Sequence, residues 1–350
     1  MRSQVKHKHN WIILRAGAFS FKLDKRVLPV IGVLLALGAL TLVVSVSYGE
    51  YAITPLEVLG TLFGMNDDAR FELVVWQFRL PRIAVAFLIG AALAVSGTIL
   101  QGITRNPLAD PGILGVTAGA SLAAVASIVW LRLPASTLPF STFAGASIMA
   151  GLIYMLAWRG GSSSIRLILV GIGLGAIATA LTNLMIVFGD INQVQQAYVW
   201  LAGSVYGRDW GHVSAIVPWL LVLIPLATLQ ARQLNTLNLG DDTARGLGVA
   251  VEIQRGVLLL VAVALAGIAV AVSGTVGFVG LVAPHITRRL VGPAHEGLIP
   301  ASALLGGVLV MFADLISRWV LAPSELPVGI VTAIIGAPYF MYLLYLNRNQ

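Results

Sequence analysis

The amino-acid sequence predicts an all-α, multi-pass membrane protein with about ten transmembrane helices, and three observations support this. First, 58% of the 350 residues are hydrophobic and 11% are charged, whereas soluble domains carry roughly 25% charged residues. Second, a helix needs about 20 apolar residues to cross a bilayer, so the chain has room for about ten spans with their loops. Third, the pentapeptide Ala-Val-Ser-Gly-Thr occurs at 94–98 and again at 271–275, which indicates an internal repeat.

The chain starts with a strongly basic arm, residues 1–26, which contains seven Lys and Arg residues. Basic residues beside a first span stay in the cytoplasm, so this arm predicts an N-terminus inside. The next loop, 48–78, is rich in Asp and Glu and is predicted to lie outside. Apolar runs predict spans at 27–47, 81–101, 111–131, 142–158, 167–188, 213–229, 256–273, 276–286, 298–317 and 327–346.

The distribution of positive charge predicts the topology. Most of the 22 Lys and Arg residues fall in the arm and in alternate loops, which favours an even number of spans with both termini inside. Spans 2–5 then begin by running inward and spans 7–10 by running outward, the inverted-repeat arrangement common among transporters. We therefore expect a single transmembrane domain, 27–350, after the arm.

Several classes of function are disfavoured by what the sequence lacks. No Asp, Glu, Lys, Arg or His lies near a predicted midplane, which argues against an internal proton or sodium site. There is no G-x-x-x-x-G-K-[ST] phosphate loop, so ATP binding by this chain is not expected. Catalytic patterns are missing as well, and His285 has no second ligand at metal spacing. We therefore expect a non-enzyme without cofactor or metal, which borrows its energy from a partner or works as a passive channel.

Two polar features have a functional and a plainer interpretation. Arg79, Arg82 and Arg318 lie at predicted external helix ends, where they could receive carboxylates of an extracytoplasmic partner. Alternatively, they extend to the interface or pair locally, as Asp314 and Arg318 would at i, i+4. The polar internal segment at about 230–255 is either a simple connector or a docking element.

Ordered motifs then extend over most of the chain, from about residue 28 to residue 344. They are FRLPR at 78–82, ALAVSGTILQGITRNPLADPGILGVTAGA at 92–120, WLAGS at 200–204, LGDDTARGLG at 239–248, GTVGFVGLVAPHITRRLVG at 274–292, ADLISR at 313–318 and ELPVGIVTAIIGAPYF at 325–340. This series closely resembles the permease subunits of iron–siderophore, haem and cobalamin ABC importers, the FecCD-type (type II) family.

The resemblance implies a cobalamin-importer-permease-like fold of ten helices and an assembly of several subunits. These are two permeases, identical or not, two cytoplasmic ATP-binding subunits and an extracytoplasmic substrate-binding (lipo)protein. The family's docking arginines match Arg79, Arg82 and Arg318. Its coupling motif matches Leu239, Gly240, Ala244, Leu247 and Gly248, and its cytoplasmic gate corresponds to Asn106, Leu108 and, less directly, Ser163 and Ser164.

The function implied by the resemblance is Fe(III)-siderophore import across the cytoplasmic membrane of a bacterium, driven by the separate ATPase. Cobalamin or haem is the alternative cargo, because the binding protein largely sets the choice of substrate. From a different class, a passive channel or facilitator remains open on composition. The role of the basic arm is not predicted beyond its contribution to topology.

Overall fold

The structure, a computed structural model, describes residues 11–16, 19–49, 51, 53–65, 68–112, 114–158 and 164–346. The helices within these ranges are α1 (Val27–Ser47), α2 (Pro55–Leu62), α3 (Ala69–Glu72), α4 (Leu80–Thr104), α5 (Val116–Val125), α6 (Leu138–Ala157), α7 (Ser164–Val187), α8 (Ile191–Leu201), α9 (Trp210–Leu229), α10 (Ala231–Asn238), α11 (Asp241–Gly246), α12 (Val251–Ser273), α13 (Val279–Val291), α14 (His295–Trp319) and α15 (Val328–Leu346).

Each of the ten predicted spans overlaps one of these helices, so the prediction of a helical, multi-pass membrane fold is confirmed. In the described ranges, seven helical segments are long and apolar enough to cross a membrane. Two further apolar helical stretches, Val116–Trp130 and Val328–Tyr342, are shorter. The remaining predicted span corresponds to α13, which has 13 residues. The short helices α2, α3, α8, α10 and α11 lie in the predicted loops.

Helix α4 forms the centre of the bundle, where it packs against α9, α12, α13 and α14. Two of its glycines bring it into direct backbone contact with neighbouring helices. A Cβ on Gly90 would collide with the carbonyl oxygen of Gly306 in α14, and one on Gly97 with that of Gly280 in α13. Small residues of this kind let membrane helices approach closely, since apolar burial alone does not drive their association.

The contacts between helices are preserved when the two halves of the chain are exchanged. Helix α4 of the first half packs against α14 of the second, and α12 of the second half packs against α6 of the first. Likewise, α5 contacts α6 and α13 contacts α14, while α4 and α12 contact each other. Gly90 and Gly267 lie four residues before the repeated pentapeptide in their respective halves and face α14 and α6. This packing supports the internal repeat.

The second copy of the pentapeptide ends a helix, whereas the first copy lies within one. Helix α12 ends at Ser273, and Gly274 follows with a φ of 69°. A Cβ on Gly274 would collide with the carbonyl oxygen of Trp200, so glycine is required there for space as well as conformation. Helix α13 then begins after Phe278, whose φ is 66°, and it therefore starts three residues later than predicted.

The basic arm contains a β-hairpin that the sequence analysis did not predict. Strands β1 (Trp11–Ala16) and β2 (Phe19–Asp24) pair antiparallel, with Trp11 opposite Asp24, and β2 lies beside α14. The sequence Phe-Ser-Phe-Lys-Leu-Asp at 19–24 alternates apolar and polar residues, which is typical of a strand.

Candidate docking and coupling sites

The three arginines predicted to dock a partner converge at one end of the bundle. Arg79 ends a π-helical segment (Leu73–Arg79) that leads directly into α4, Arg82 lies in the first turn of α4, and Arg318 lies in the last turn of α14. Because α4 and α14 pack side by side, these turns meet around the buried carboxylate of Asp314. The structure therefore brings together residues that are more than 200 positions apart in sequence.

Arg79 and Arg318 are buried and bind the carboxyl-terminal end of α1. Arg79 donates a hydrogen bond to the carbonyl oxygen of Val46, and Arg318 Nη1 donates to those of Ser45 at 3.0 Å and Tyr48 at 2.9 Å. The last carbonyls of a helix lack partners within the helix and carry partial negative charge. Both guanidinium groups thus cap α1 and fasten it to the rest of the bundle.

Arg82 is paired with two carboxylates. Its Nε and Nη2 donate to Asp314 Oδ1 at 3.0 and 2.8 Å, and its Nη1 lies 2.9 Å from Glu325 Oε2. Its guanidinium carbon also lies 5.7 Å from the ring centre of Tyr206. Asp314 forms a further ion pair with Arg318, at 3.2 Å between Nε and Oδ2. This is the i, i+4 pair that the sequence analysis offered as the plainer interpretation.

All three arginines are therefore engaged within the chain, and they differ in how easily a partner could reach them. The side chains of Arg79 and Arg318 bind main-chain carbonyls that a docking protein could not replace. Arg82 instead shares its outer Nη1 with Glu325, whose side chain is 29% exposed. Glu325 is thus the more exposed of the two carboxylates that pair with Arg82.

The predicted coupling residues lie in one short helix, α11, and in the turns on either side of it, at the other end of the bundle. Leu239 and Leu247 flank α11, and their side chains are 64% and 65% exposed, whereas Ala244 is fully buried. Gly240 and Gly248 have φ values of 109° and 83°, which non-glycine residues rarely adopt. Helix α11 thus has a glycine turn on each side and presents two apolar side chains outward.

The predicted gate residues Asn106 and Leu108 form a tight turn immediately after α4. Arg105 ends the helix with a left-handed φ of 53°, and Asn106 Oδ1 accepts a hydrogen bond from the Leu108 amide at 2.9 Å. Ser164 is the first residue of α7, and Ser163 lies outside the described residues. The turn at 105–108 is therefore held by its own side chains.

The sequence analysis missed the residue that joins these two regions, Asp241. This carboxylate begins α11 and lies 3.0 Å from Arg105 Nη2 and 2.8 Å from Arg255 Nη2. Arg255 belongs to α12, and its side chain is 1% exposed. An arginine among the first residues of an apolar helix was the available signal, because a buried arginine needs a carboxylate nearby.

A second polar contact ties α10 to the start of α14. Asn235 Oδ1 accepts a hydrogen bond from the His295 amide at 3.0 Å, and Asn235 Nδ2 donates to Glu296 at 2.8 Å. His295 is fully buried, and its Nδ1 lies 2.6 Å from Asn235 Oδ1. Within the described ranges, no three His, Cys, Asp or Glu residues are arranged to hold a metal ion.

Asp110 follows the gate turn and borders a cavity of about 320 Å³ lined by Phe278, Leu281 and Phe340 among others. Burial raises the pKa of this carboxyl from 3.8 to about 6, and a hydrogen bond from the Gly112 amide partly opposes the shift. That amide lies 2.8 Å from Asp110 Oδ1. Asp110 is thus a titratable group in the loop between α4 and α5.

Known proteins match this chain over most of its length. Iron(3+)-hydroxamate import system permease protein FhuG of Bacillus subtilis (strain 168) is 48% identical over 309 residues, which cover 86% of this chain and 92% of FhuG. Hemin transport system permease protein HmuU of Yersinia pestis is 41% identical over 291 residues, covering 81% and 86% of the two chains. A solved structure of a metal-chelate type ABC transporter in an inward-facing conformation superposes with a TM-score of 0.82 and 32% identity, covering 91% of this chain and 98% of that one. Since the model of the FecCD transport family also matches residues 35–346, the chain belongs to that family.

Proposed function

We propose that this chain is the permease subunit of a bacterial ABC importer and that it moves a ferric siderophore across the cytoplasmic membrane. The observation that carries the proposal is the 48% identity to an iron(3+)-hydroxamate permease over nearly its whole length. A ferric chelate is bulky and polar, so a path between two permease subunits suits it better than a narrow pocket within one chain. Haem is the second candidate cargo, because a hemin permease is 41% identical.

The energy for transport would come from two separate ATP-binding subunits. The sequence has no phosphate loop of its own, and its exposed leucines, Leu239 and Leu247, flank a helix at the predicted cytoplasmic end. Exposed apolar side chains next to a short helix are typical of a surface that contacts another protein. On this proposal, closure of the ATPase pair displaces α11, and the helix bundle changes between two packings.

The substrate-binding protein would dock at the opposite end, where Arg82 is the proposed contact. A carboxylate of the binding protein would replace that of Glu325, which lies 2.9 Å from Arg82 Nη1. Arg79 and Arg318 would contribute indirectly, since they hold α1 in place beside this surface. Both termini of the permease would then lie in the cytoplasm, a topology that reporter fusions at residues 1 and 350 can test.

Transport in proteoliposomes tests the function directly. The complete complex, with binding protein and ATPase, should take up a radiolabelled ferric hydroxamate in the presence of ATP. A complex with a hydrolysis-deficient ATPase is the control and should take up none. Comparable uptake without ATP hydrolysis would instead establish a passive channel. Parallel measurements with haem and cobalamin distinguish the cargoes, since the correct one alone should stimulate ATP hydrolysis through its loaded binding protein.

Charge reversal tests the docking proposal with less ambiguity at Arg82 than at Arg79. Arg82→Glu should abolish binding-protein-dependent uptake, but it also places a carboxylate against buried Asp314. Arg82→Gln avoids that repulsion and should lower uptake while the permease still inserts and still assembles with its ATPase. Arg79→Glu should do more damage, because it also removes the cap on α1. Full uptake by the Arg82→Glu variant would contradict the docking proposal and leave the transport function intact.

A further inference from the structure

The carboxylate of Asp241 connects α11 to the turn after α4 and to α12; a second ion pair, Arg245 with Glu252 at 3.4 Å, also joins α11 to α12. Its Oδ1 accepts hydrogen bonds from Arg105 Nη2 at 3.0 Å and from Arg255 Nη2 at 2.8 Å. Arg105 belongs to the turn after α4, and Arg255 belongs to α12. Helices α4 and α12 are the first helices of the two repeated halves, so one side chain of α11 holds both halves at once.

The two arginines that bind Asp241 differ in burial. The side chain of Arg255 is 1% exposed, and Asp241 is the nearer of its two carboxylate partners, at 2.8 Å against 4.0 Å for Glu252. Arg105 has a left-handed backbone conformation with a φ of 53° and immediately precedes the predicted gate residue Asn106. The side chain of Arg105 is 37% exposed, and its Nη2 links Asp241 to the first residue of the gate turn.

We propose that Asp241 is the positioning residue that transmits displacement of α11 to the gate turn at 105–108 and to α12. The inference rests on the proposed function, in which the ATPase displaces α11, and it adds a specific route for the force. Asp241 touches neither cargo nor nucleotide in this scheme. It sets the position of the gate turn through Arg105 and the position of the second half through Arg255.

The neighbouring residue Asp242 provides a matched control. Its side chain is fully exposed and pairs with Arg245 of the same helix, at 3.3 Å between Oδ1 and Nη1. Asp242→Asn removes the same charge from the same helix, one position away, and leaves the bridge to α4 and α12 intact. If transport depends only on the total charge of α11, both substitutions should reduce uptake per ATP. If it depends on the bridge, the substitution of Asp241 alone should do so.

The experiment uses the complete complex in proteoliposomes and measures two rates, ATP hydrolysis stimulated by the loaded binding protein and uptake of ferric hydroxamate. Asp241→Asn should retain hydrolysis while uptake per ATP falls by roughly tenfold, a size typical of coupling between sites. Asp242→Asn should remain close to the wild type. Arg105→Gln, which keeps the pair between Asp241 and Arg255, should also lower uptake per ATP. The double variant Asp241→Asn with Arg105→Gln should be no worse than the more affected single variant.

The outcomes separate this inference from the proposed function. A wild-type complex without ATP-dependent uptake would overturn the proposed function and the inference with it. With a functional wild type, unchanged uptake per ATP in Asp241→Asn would overturn the inference alone, as would an equal loss in Asp242→Asn or additive losses in the double variant. If Asp241→Asn fails to co-purify with the ATPase, Arg105→Gln decides the matter, and normal coupling in that variant would refute the route through the gate turn.

Discussion

Replacement of Arg318 by alanine should destabilise the permease itself, in the absence of any partner. The guanidinium of Arg318 donates two hydrogen bonds to the end of α1, to Ser45 at 3.0 Å and to Tyr48 at 2.9 Å. Alanine would leave both carbonyls without that donor and α1 less firmly held. Asp314 would keep its stronger pair with Arg82, at 2.8 Å, so the effect reports mainly on the contact with α1.

The magnitude follows from the two bonds that are lost. A hydrogen bond with one charged partner contributes about 1.5–3 kcal/mol to the free energy of unfolding, which gives about 3–5 kcal/mol for the pair once partial relaxation is allowed. A loss of this size should lower the unfolding temperature by roughly 5–10 °C. Arg318→Lys should recover part of the loss, because a lysine retains the charge and can reach a carbonyl with fewer donors.

The assay is thermal unfolding of the purified permease in detergent, followed by the loss of monodisperse protein on heating. Arg70→Ala is the matched control, since Arg70 is an exposed arginine in α3, just before the segment that ends at Arg79. The unfolding temperature of this variant should match that of the wild type. If Arg318→Ala unfolds at the wild-type temperature and instead loses affinity for the binding protein, then Arg318 docks the partner and does not cap α1.

Three further predictions follow from individual contacts. Gly90→Ala should reduce the yield of folded protein more than Gly267→Ala, although the two positions are equivalent in the repeat. The new methyl group would meet a backbone carbonyl at position 90, whereas at position 267 it would meet a phenylalanine ring 3.0 Å away that can shift. Equal yields would contradict this reasoning. Asp110→Asn should raise the unfolding temperature at pH 7.5. The pKa of Asp110 is raised from 3.8 to about 6 in the folded protein, so at pH 7.5 folding is opposed by the charged carboxylate, which asparagine lacks. The gain should shrink as the pH falls through 6 and vanish near pH 4, and a gain independent of pH would exclude this cause. Glu325→Gln should increase the affinity for the binding protein several-fold in a titration by light scattering, since it removes the carboxylate that occupies Arg82; weaker binding would indicate that Glu325 itself orients Arg82.

The sequence was sufficient to predict the long helices because most apolar runs have about the length of a membrane span; the run at 276–286 is shorter, and the helix there, α13, has 13 residues. It also grouped Arg79, Arg82 and Arg318 at one end, since helix ends follow from span boundaries. The bonds that these arginines make could not be predicted, because the acceptors for Arg318 are main-chain carbonyls about 270 positions away. Every helix end has such carbonyls, so no sequence pattern identifies the ones that a distant side chain will reach.

Asp241 illustrates the same limit at the other end of the molecule. The motif LGDDTARGLG at 239–248 contains glycines and leucines whose roles are local, in backbone conformation and at the surface. Asp241 and Asp242 are adjacent and chemically identical, yet one bridges two halves of the fold and the other is fully exposed. Their difference arises from the direction in which α11 faces the bundle, which is set by the tertiary packing of Ala244 against the core.

The arrangement of the central helices explains how a single carboxylate could act on both halves of the molecule. Helices α4 and α12 contact each other directly, and Asp241 binds the end of one and the beginning of the other. Helix α4 is also in backbone contact with α13 and α14 at Gly97 and Gly90, and closely packed surfaces of this kind do not deform continuously. A displacement that enters through Asp241 must therefore carry α4 together with two helices of the other half. The motion that this packing permits is the shift of a helix group as a rigid body, and bending of α4 alone would break its glycine contacts.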